Sequence, residues 1–373
     1  LKETAVKNEA AVKDVKMSRP AITPQWLADF EIPTFYPHPI LRGGHLQTLI
    51  SARMREADST FPATHRRHTI DLADGDALVM HDDEPHDWTS RQGSVLLLHG
   101  ICGCHAASYM VRFQQRLNQR GVRTFRLDMR GCGDSAELCH SITHAGRSED
   151  VLSAMEFITD LIDDQSSPLG AAGVSLGANQ LLLAAGRVGI GTHQPPAGWD
   201  RVGPILAIAP PLDLQTCSDA MEAARLRFYN WYFIKHLLRR ASPRLRSRED
   251  YQSMLRQRKP RTLREFDRLF TAPLAGFACE RDYYGQSSAI TVVKNIEVPT
   301  LIVTSADDPL VPVASFDTIT REKSTSRTKD AVRLHISPRG GHHGFLQRDR
   351  TGWTDELVSE FFADAFATVR PGL

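Results

Sequence analysis

Long apolar runs are missing from this chain: nothing in its 373 residues approaches the ~20 consecutive apolar positions of a membrane-spanning helix. A secretory leader is also missing from the first residues. Leu1 to Lys16 alternates Lys and Glu with Ala and Val around no apolar centre, and reads as a short polar helix or a loose arm. The chain does not begin with Met, so its first residues read as a processed or appended end, with Met17 as a candidate natural start. Cysteine is scarce. The 6 residues follow no regular spacing, which argues against a disulfide framework and for a thiol-reducing, cytoplasmic setting. An excess of one charge is absent as well: 45 Lys and Arg face 44 Asp and Glu, so there is no global attraction to nucleic acid or membrane. No nucleic-acid partner is expected. Metal-site spacing is missing too. Cys102 and Cys104 lie between His99 and His105, but no second ligand pair follows, so neither a metal nor a cofactor is expected. Arg130-Gly131-Cys132-Gly133-Asp134-Ser135 lacks the Gly-Lys-Ser/Thr of a phosphate loop. It reads as a turn shaping a pocket floor, with Asp134 and Ser135 as a plain polar pair.

What is present is an alternation of short apolar runs with helical periodicity. Arg66–Leu72 and Leu78–His81 form a hairpin about the turn dipeptide Asp74-Gly75. Val95–Leu98, Thr124–Asp128, the run into Ser175, Pro204–Ala209, Pro299–Ser305 and Val332–Ile336 read as strands, the apolar ones buried on both faces. Ser108–Arg120, Glu149–Ile162 and Leu357–Ala367 have helical spacing, and Gly43–Leu49 packs as a short helix. The expected fold class is therefore α/β, a mostly parallel central sheet flanked by helices. One interruption, helical from Met221 to about Thr291, reads as a cap. The expected organisation is an arm at 1–60, core at 61–210, helical cap at 211–291 and core again at 292–373. The cap is rich in Arg, with Phe228, Tyr229, Trp231, Tyr232 and Phe233 among the basic residues. The favoured reading is a solvated helical face whose aromatics pack on the core; the alternative is a surface that meets anionic lipid.

The chemistry gathers where parallel strands end. Gly173-Val174-Ser175-Leu176-Gly177 has the form of a nucleophile elbow, in which a strained serine stands between strand and helix. A serine hydroxyl needs a base, and the base needs a third group to orient it. Asp307 and Asp308 follow the next-to-last strand; Asp308 is preferred because it directly precedes the turn that Pro309 enforces, leaving Asp307 to brace the loop. Asp213 is a weaker rival whose plain role is helix capping. Gly340-Gly341-His342-His343-Gly344 follows the last strand, and His342 is preferred as base. The backbone amides of Leu176 and Ile101, the latter in His99-Gly100-Ile101-Cys102-Gly103, are the expected oxyanion donors.

These motifs, with Gly44-His45-Leu46-Gln47-Thr48, His144-Ala145-Gly146, Glu149-Asp150 and Pro211-Leu212-Asp213-Leu214, resemble the α/β-hydrolase superfamily and, within it, the YheT-like branch. The resemblance runs from about Pro37 to the closing helix. It implies a triad of Ser175, Asp308 and His342, and hydrolysis of a carboxylic ester or lipid without metal or cofactor. Departures lie in Asp134-Ser135, where relatives tend to continue Glu-Pro-Asn, in Ala178, and in the arginine-rich cap; they bear on the acyl and alcohol preferences. Two rivals to a hydrolase are an acyltransferase using the same triad and a non-catalytic binding module.

Overall fold

The computed structural model describes residues 22–51, 54, 63–322, 331–349 and 351–369, with side chains left out at 320–322. The expectations for Leu1–Lys16 and Met17 lie outside the described residues. Eight strands form one sheet: β1 (Ala63–Asp71), β2 (Ala77–Pro85), β3 (Ser94–Leu98), β4 (Arg123–Asp128), β5 (Leu169–Val174), β6 (Val202–Ile208), β7 (Thr300–Ser305) and β8 (Val332–Ser337). Their spatial order is β1-β2-β4-β3-β5-β6-β7-β8. The β1–β2 and β2–β4 pairs are antiparallel, and every pair from β4 to β8 is parallel. The apolar runs of β3, β5, β6 and β7 are buried along their whole length, as strands covered on both faces must be. β1 is different. It is largely exposed and carries Arg66 and Arg67, charged groups that discourage pairing with another chain at this edge.

Helices before and between the strands are α1 (Pro24–Asp29), α2 (Gly44–Ser51), α3 (Ser108–Gln119), α4 (Ser148–Leu161) and α5 (Leu176–Gly189), with α6 (Leu214–Met221) and α7 (Arg227–Arg240) after β6. Leu152, Met155 and Ile158 of α4 and Leu181–Leu183 of α5 pack on one face of the sheet. Met110, Phe113 and Leu117 of α3 pack on the other face with Leu357, Phe361, Phe362 and Phe366 of the closing helix, Trp353–Val369. The segment before the sheet lies against that closing helix: Trp26 Nε1 donates to Asp364 at 2.6 Å, and Phe30 meets Phe361 edge-on at 5.3 Å. Between β6 and β7, from Leu214 to Asn295, the described chain is helical and turn-like with no strand.

Within that stretch the aromatics of α7 depart from expectation. Tyr229 is buried, but Phe228, Trp231 and Tyr232 are 50%, 54% and 41% exposed. The reason is the helical period: Tyr229, Asn230 and Ile234 occupy the inward stripe, which carries their neighbours in sequence round to the outside. Among the described residues no helix is long and apolar enough to cross a membrane.

Candidate active site

Ser175 sits between β5 and α5 with φ 52° and ψ −116°, a conformation that side-chain-bearing residues adopt only when the surroundings enforce it. Two glycines make room for it. A Cβ on Gly173 would lie 2.6 Å from the Ala178 nitrogen, and one on Gly177 would lie 2.6 Å from the His99 carbonyl. The bend is held from behind by the Ser175 amide, which donates to the Ile208 carbonyl of β6 at 2.8 Å. The hydroxyl is thereby held at the carboxyl edge of the sheet, 2.9 Å from His342 Nε2.

The loop after β7 supplies the carboxylate. Asp308 Oδ1 accepts the amides of Leu310 and Val311 at 2.7 and 3.0 Å, which fixes its orientation. Its Oδ2 lies 2.8 Å from His342 Nδ1. That contact places the imidazole proton on Nδ1, so Nε2 offers its lone pair to the serine hydroxyl. Asp307 does something else: its Oδ1 accepts from Ser305 Oγ at 3.0 Å and from the Gly341 amide at 2.9 Å, tying the acid loop to the histidine loop. Asp213 caps α6, accepting the amides of Gln215 and Thr216 at 3.0 and 3.2 Å.

The histidine loop is pressed against α2. A Cβ on Gly341 would fall 2.3 Å from the Gly44 carbonyl, so only glycine permits the approach. Thr48 Oγ1 accepts the His342 amide at 2.8 Å and donates to the Gly44 carbonyl at 2.7 Å. Gln47, fully buried, accepts the Leu346 amide through Oε1 and donates to the Leu41 carbonyl through Nε2. Sequence reasoning read this segment as a packing helix and missed its part in holding His342. His343, with φ 48°, turns toward the Tyr109 ring at 5.2 Å. Burial pushes its imidazole down to about 3, with the adjacent His342 adding to the shift.

Ile101 lies in the turn after β3, beside Gly100, whose amide donates to the Tyr109 hydroxyl at 2.8 Å. Leu176 opens α5, where the first-turn amides have no partner within the helix. The Tyr109 hydroxyl thus helps to set the Ile101 turn. His99 is wholly buried and its Nε2 accepts the Met129 amide at 3.2 Å; burial lowers its pKa, consistent with a neutral acceptor. Asn179 links elbow helix and later chain, donating to the carbonyls of Ala145 and Ser287 at 3.2 and 2.8 Å and accepting the Ala289 amide at 3.0 Å.

Above Ser175 and His342 lies a cavity of about 300 Å³. Ile101, Leu310, Tyr109 and α7's Phe228, Tyr229 and Phe233 contribute to its wall. Arg240, at the end of α7, donates to the Cys102 carbonyl and so joins the helix to the Ile101 turn. The Tyr229 hydroxyl lies 3.1 Å from His45 Nδ1; burial first, and the Asp308 charge second, push its pKa up to about 12. Asp134 and Ser135 do not line this cavity, contrary to their expected place near the pocket. Ser135 Oγ instead donates to the Asp128 carbonyl and accepts the Val79 amide, joining β4 to β2.

The family model described as Hydrolase_4, serine aminopeptidase S33, matches residues 89–349. "Putative esterase YheT" of Escherichia coli is 27% identical over 304 residues, covering 81% of this chain and 84% of the relative. Human "Phospholipase ABHD3" is 26% identical over 320 residues, covering 84% and 74% respectively. Among solved structures, the Pyrococcus furiosus esterase Pf2001 aligns with a TM-score of 0.51 at 15% identity, over 83% of this chain and 97% of that one, a likeness of fold. Sheet order, elbow and family match agree: the chain belongs to the α/β-hydrolases, in the Hydrolase_4 (serine aminopeptidase S33) family and on its YheT-like branch.

Proposed function

We propose that the protein hydrolyses carboxylic esters through an acyl-enzyme, as a carboxylesterase or lipase-like acyl hydrolase. The observation that carries this reading is the single imidazole of His342 bridging Ser175 Oγ at 2.9 Å and Asp308 Oδ2 at 2.8 Å beneath a cavity walled in part by aromatic side chains. Ser175 attacks the ester carbonyl while His342 Nε2 takes its proton. Collapse of the tetrahedral intermediate breaks the carbon–oxygen bond, and the same proton passes to the leaving alcohol. Water then attacks the acyl-serine, with His342 again as base, and releases the acid. Asp308 keeps the imidazole in the productive tautomer and stabilises its cation. The amides of Ile101 and Leu176 receive the oxyanion; losing one such donor typically costs about 3 kcal/mol of transition-state stabilisation.

Helical residues 211–291 act as the cap over the acyl pocket, between core segments 61–210 and 292–373. The substrate is a small ester or a lipid. Relatives described as an esterase and a phospholipase support that class. So do the exposed Phe228, Trp231 and Tyr232 of α7, of which Phe228 and Tyr232 also line the cavity. Arg225, Arg227, Lys235 and Arg239 are exposed around them, a composition suited to peripheral contact with anionic lipid.

The test is a fluorophosphonate probe with the wild type and Ser175→Ala, followed by turnover of nitrophenyl esters and short-chain phospholipids. Labelling that survives Ser175→Ala would refute the nucleophile. Product analysis with competing alcohols separates hydrolysis from acyl transfer. Sedimentation with anionic and zwitterionic vesicles, wild type against Phe228→Ser/Trp231→Ser, tests the lipid contact; equal binding of both proteins to anionic vesicles would remove it.

A further inference from the structure

A second cluster of ionisable side chains lies between β2 and β4, apart from Ser175. His81 on β2 pairs in register with Arg126 of β4, which makes Asp128 its diagonal neighbour on the same face. The turn after β3 adds His105, and the turn after β4 adds Asp134. One candidate ligand atom from each of these four residues lies within 4.8 Å of all the others.

Asp128 is wholly buried and its carboxylate is fixed by backbone. Its Oδ1 accepts the His105 amide at 2.6 Å and its Oδ2 the Asp134 amide at 2.8 Å. A Cβ on Gly133 would come within 2.2 Å of that carboxylate, so the turn is built around it. His105 Nδ1 lies 2.7 Å from Asp128 Oδ2, and the His105 ring stacks on His81 at 3.5 Å between centroids. His81 supplies the telling atom. Its side chain is 5% exposed, and its Nε2 has no hydrogen-bond partner although it points at two carboxylates. The distances are 3.4 Å to Asp128 Oδ2 and 3.6 Å to Asp134 Oδ2. A buried nitrogen left without a partner is costly. The shorter separation is at the outer limit of a hydrogen bond without its alignment, and the longer one is beyond it, whereas with metal–ligand bonds of ~2.1 Å the edge of a coordination tetrahedron is ~3.4 Å. The surrounding cations are Arg67, whose Nε lies 3.4 Å from Asp134 Oδ2, and Arg126, which is engaged with Asp83 and the His105 carbonyl. Arg67 is half exposed, so it can swing away from Asp134.

We propose that His81, His105, Asp128 and Asp134 bind one divalent transition-metal ion, zinc by preference, in a structural site. Two imidazoles and two carboxylates are a borderline donor set of the kind zinc accepts. The backbone bonds that hold Asp128 supply the outer support that ligating carboxylates ordinarily have. The ion ties the turn carrying Ile101 and His105 to the antiparallel edge of the sheet. His105 Nδ1 and Asp128 Oδ2 exchange their mutual hydrogen bond for shared coordination as the Nδ1 proton gives way to the Nε2-protonated tautomer, and the stacked rings splay to aim both nitrogens at the ion. The spacing of Cys102, Cys104, His99 and His105 holds no such set, because the partners of His105 are brought from other strands by the fold.

The experiment is equilibrium dialysis of the full chain, stripped with EDTA, against zinc chloride, with bound metal measured directly. One zinc per chain is expected. His81→Ala and Asp134→Asn should each weaken binding tenfold or more, while His342→Ala keeps the ion. Asp134 is 39% exposed, so its substitution tests the site even if His81→Ala does not fold. Cobalt in place of zinc should give the visible bands of a tetrahedral nitrogen–oxygen site with no thiolate charge transfer. No bound zinc, unchanged binding in Asp134→Asn, loss of the ion in His342→Ala or a thiolate signature would each overturn the proposal. None of these readouts uses hydrolysis, so the site stands or falls independently of the esterase reading.

Discussion

Two histidine–aspartate pairs lie where parallel strands end, and by distance alone they are twins. His342 Nδ1 is 2.8 Å from Asp308, and His105 Nδ1 is 2.7 Å from Asp128. What differs is the third group. The other nitrogen of His342 meets the hydroxyl of a backbone-strained serine at 2.9 Å, and that hydroxyl opens on a cavity. His105 instead faces a second imidazole, with a second carboxylate close by and no serine. A carboxylate beside an imidazole orients the ring and favours its cation, which alone makes neither a relay nor a metal site. A hydroxyl at the far nitrogen makes the pair a proton relay, whereas additional lone pairs make it a cage for a cation.

The largest effect should come from breaking the relay. Ser175→Ala and His342→Ala are each expected to lower kcat by roughly 10⁴–10⁶-fold, and Asp308→Asn by about 10⁴-fold, measured with a soluble nitrophenyl ester. His343→Ala and Asp307→Asn should be milder. The same substitutions in the other pair sharpen the contrast: His105→Ala is expected to cost less than about tenfold in kcat, its penalty appearing in thermal stability instead. If His105→Ala matched His342→Ala in kcat, the two pairs would not be distinct in function.

A smaller effect is expected where the relay is only supported. Thr48→Val removes the acceptor for the His342 amide and the donor to Gly44 while keeping the shape of the side chain. A buried amide left without a partner costs about 1–3 kcal/mol, so kcat should fall by about ten- to a hundredfold if that penalty is felt in the transition state. KM should change less than kcat: Thr48 also lines the cavity, but the hydrogen bonds it loses are those that hold the base. A rise in KM with unchanged kcat would place Thr48 among substrate contacts instead.

The readability of the sequence follows the same divide. β3, β5, β6 and β7 are runs of apolar residues buried on both faces, so local composition is enough to mark them. Ser175, Asp308 and His342 lie in short loops with their own local signatures: a glycine-flanked elbow, a proline-enforced turn and a glycine pair. The His81 cluster has no local signature, since His81, His105, Asp128 and Asp134 meet through strand register and turns far apart in the chain. Thr48 and Gln47 were hidden for the same reason: their partners at 342 and 346 come from the other end of the chain. The outward aromatics of α7 were legible as residues but not as a face, because which stripe of a mixed helix turns inward is decided by tertiary packing.

The subtlest difference separates the neighbours His342 and His343, and it should show as a dependence of stability on pH. Burial, and then the nearby His342, hold the folded-state pKa of His343 at about 3, against an ordinary value of 6.5. The unfolded chain therefore takes up a proton at this site at a pH where the folded chain does not. Stability from keeping His343 neutral is fully present above pH 6.5 and is lost progressively as pH falls toward 3. His343→Gln removes the titrating group, so its melting temperature should fall less between pH 7 and pH 4 than that of the wild type. At pH 7 the variant loses only packing and any hydrogen bond of the ring, a constant offset. Parallel curves for the two proteins across that range would mean that the His343 ring takes up its proton as readily in the folded state as in the unfolded one.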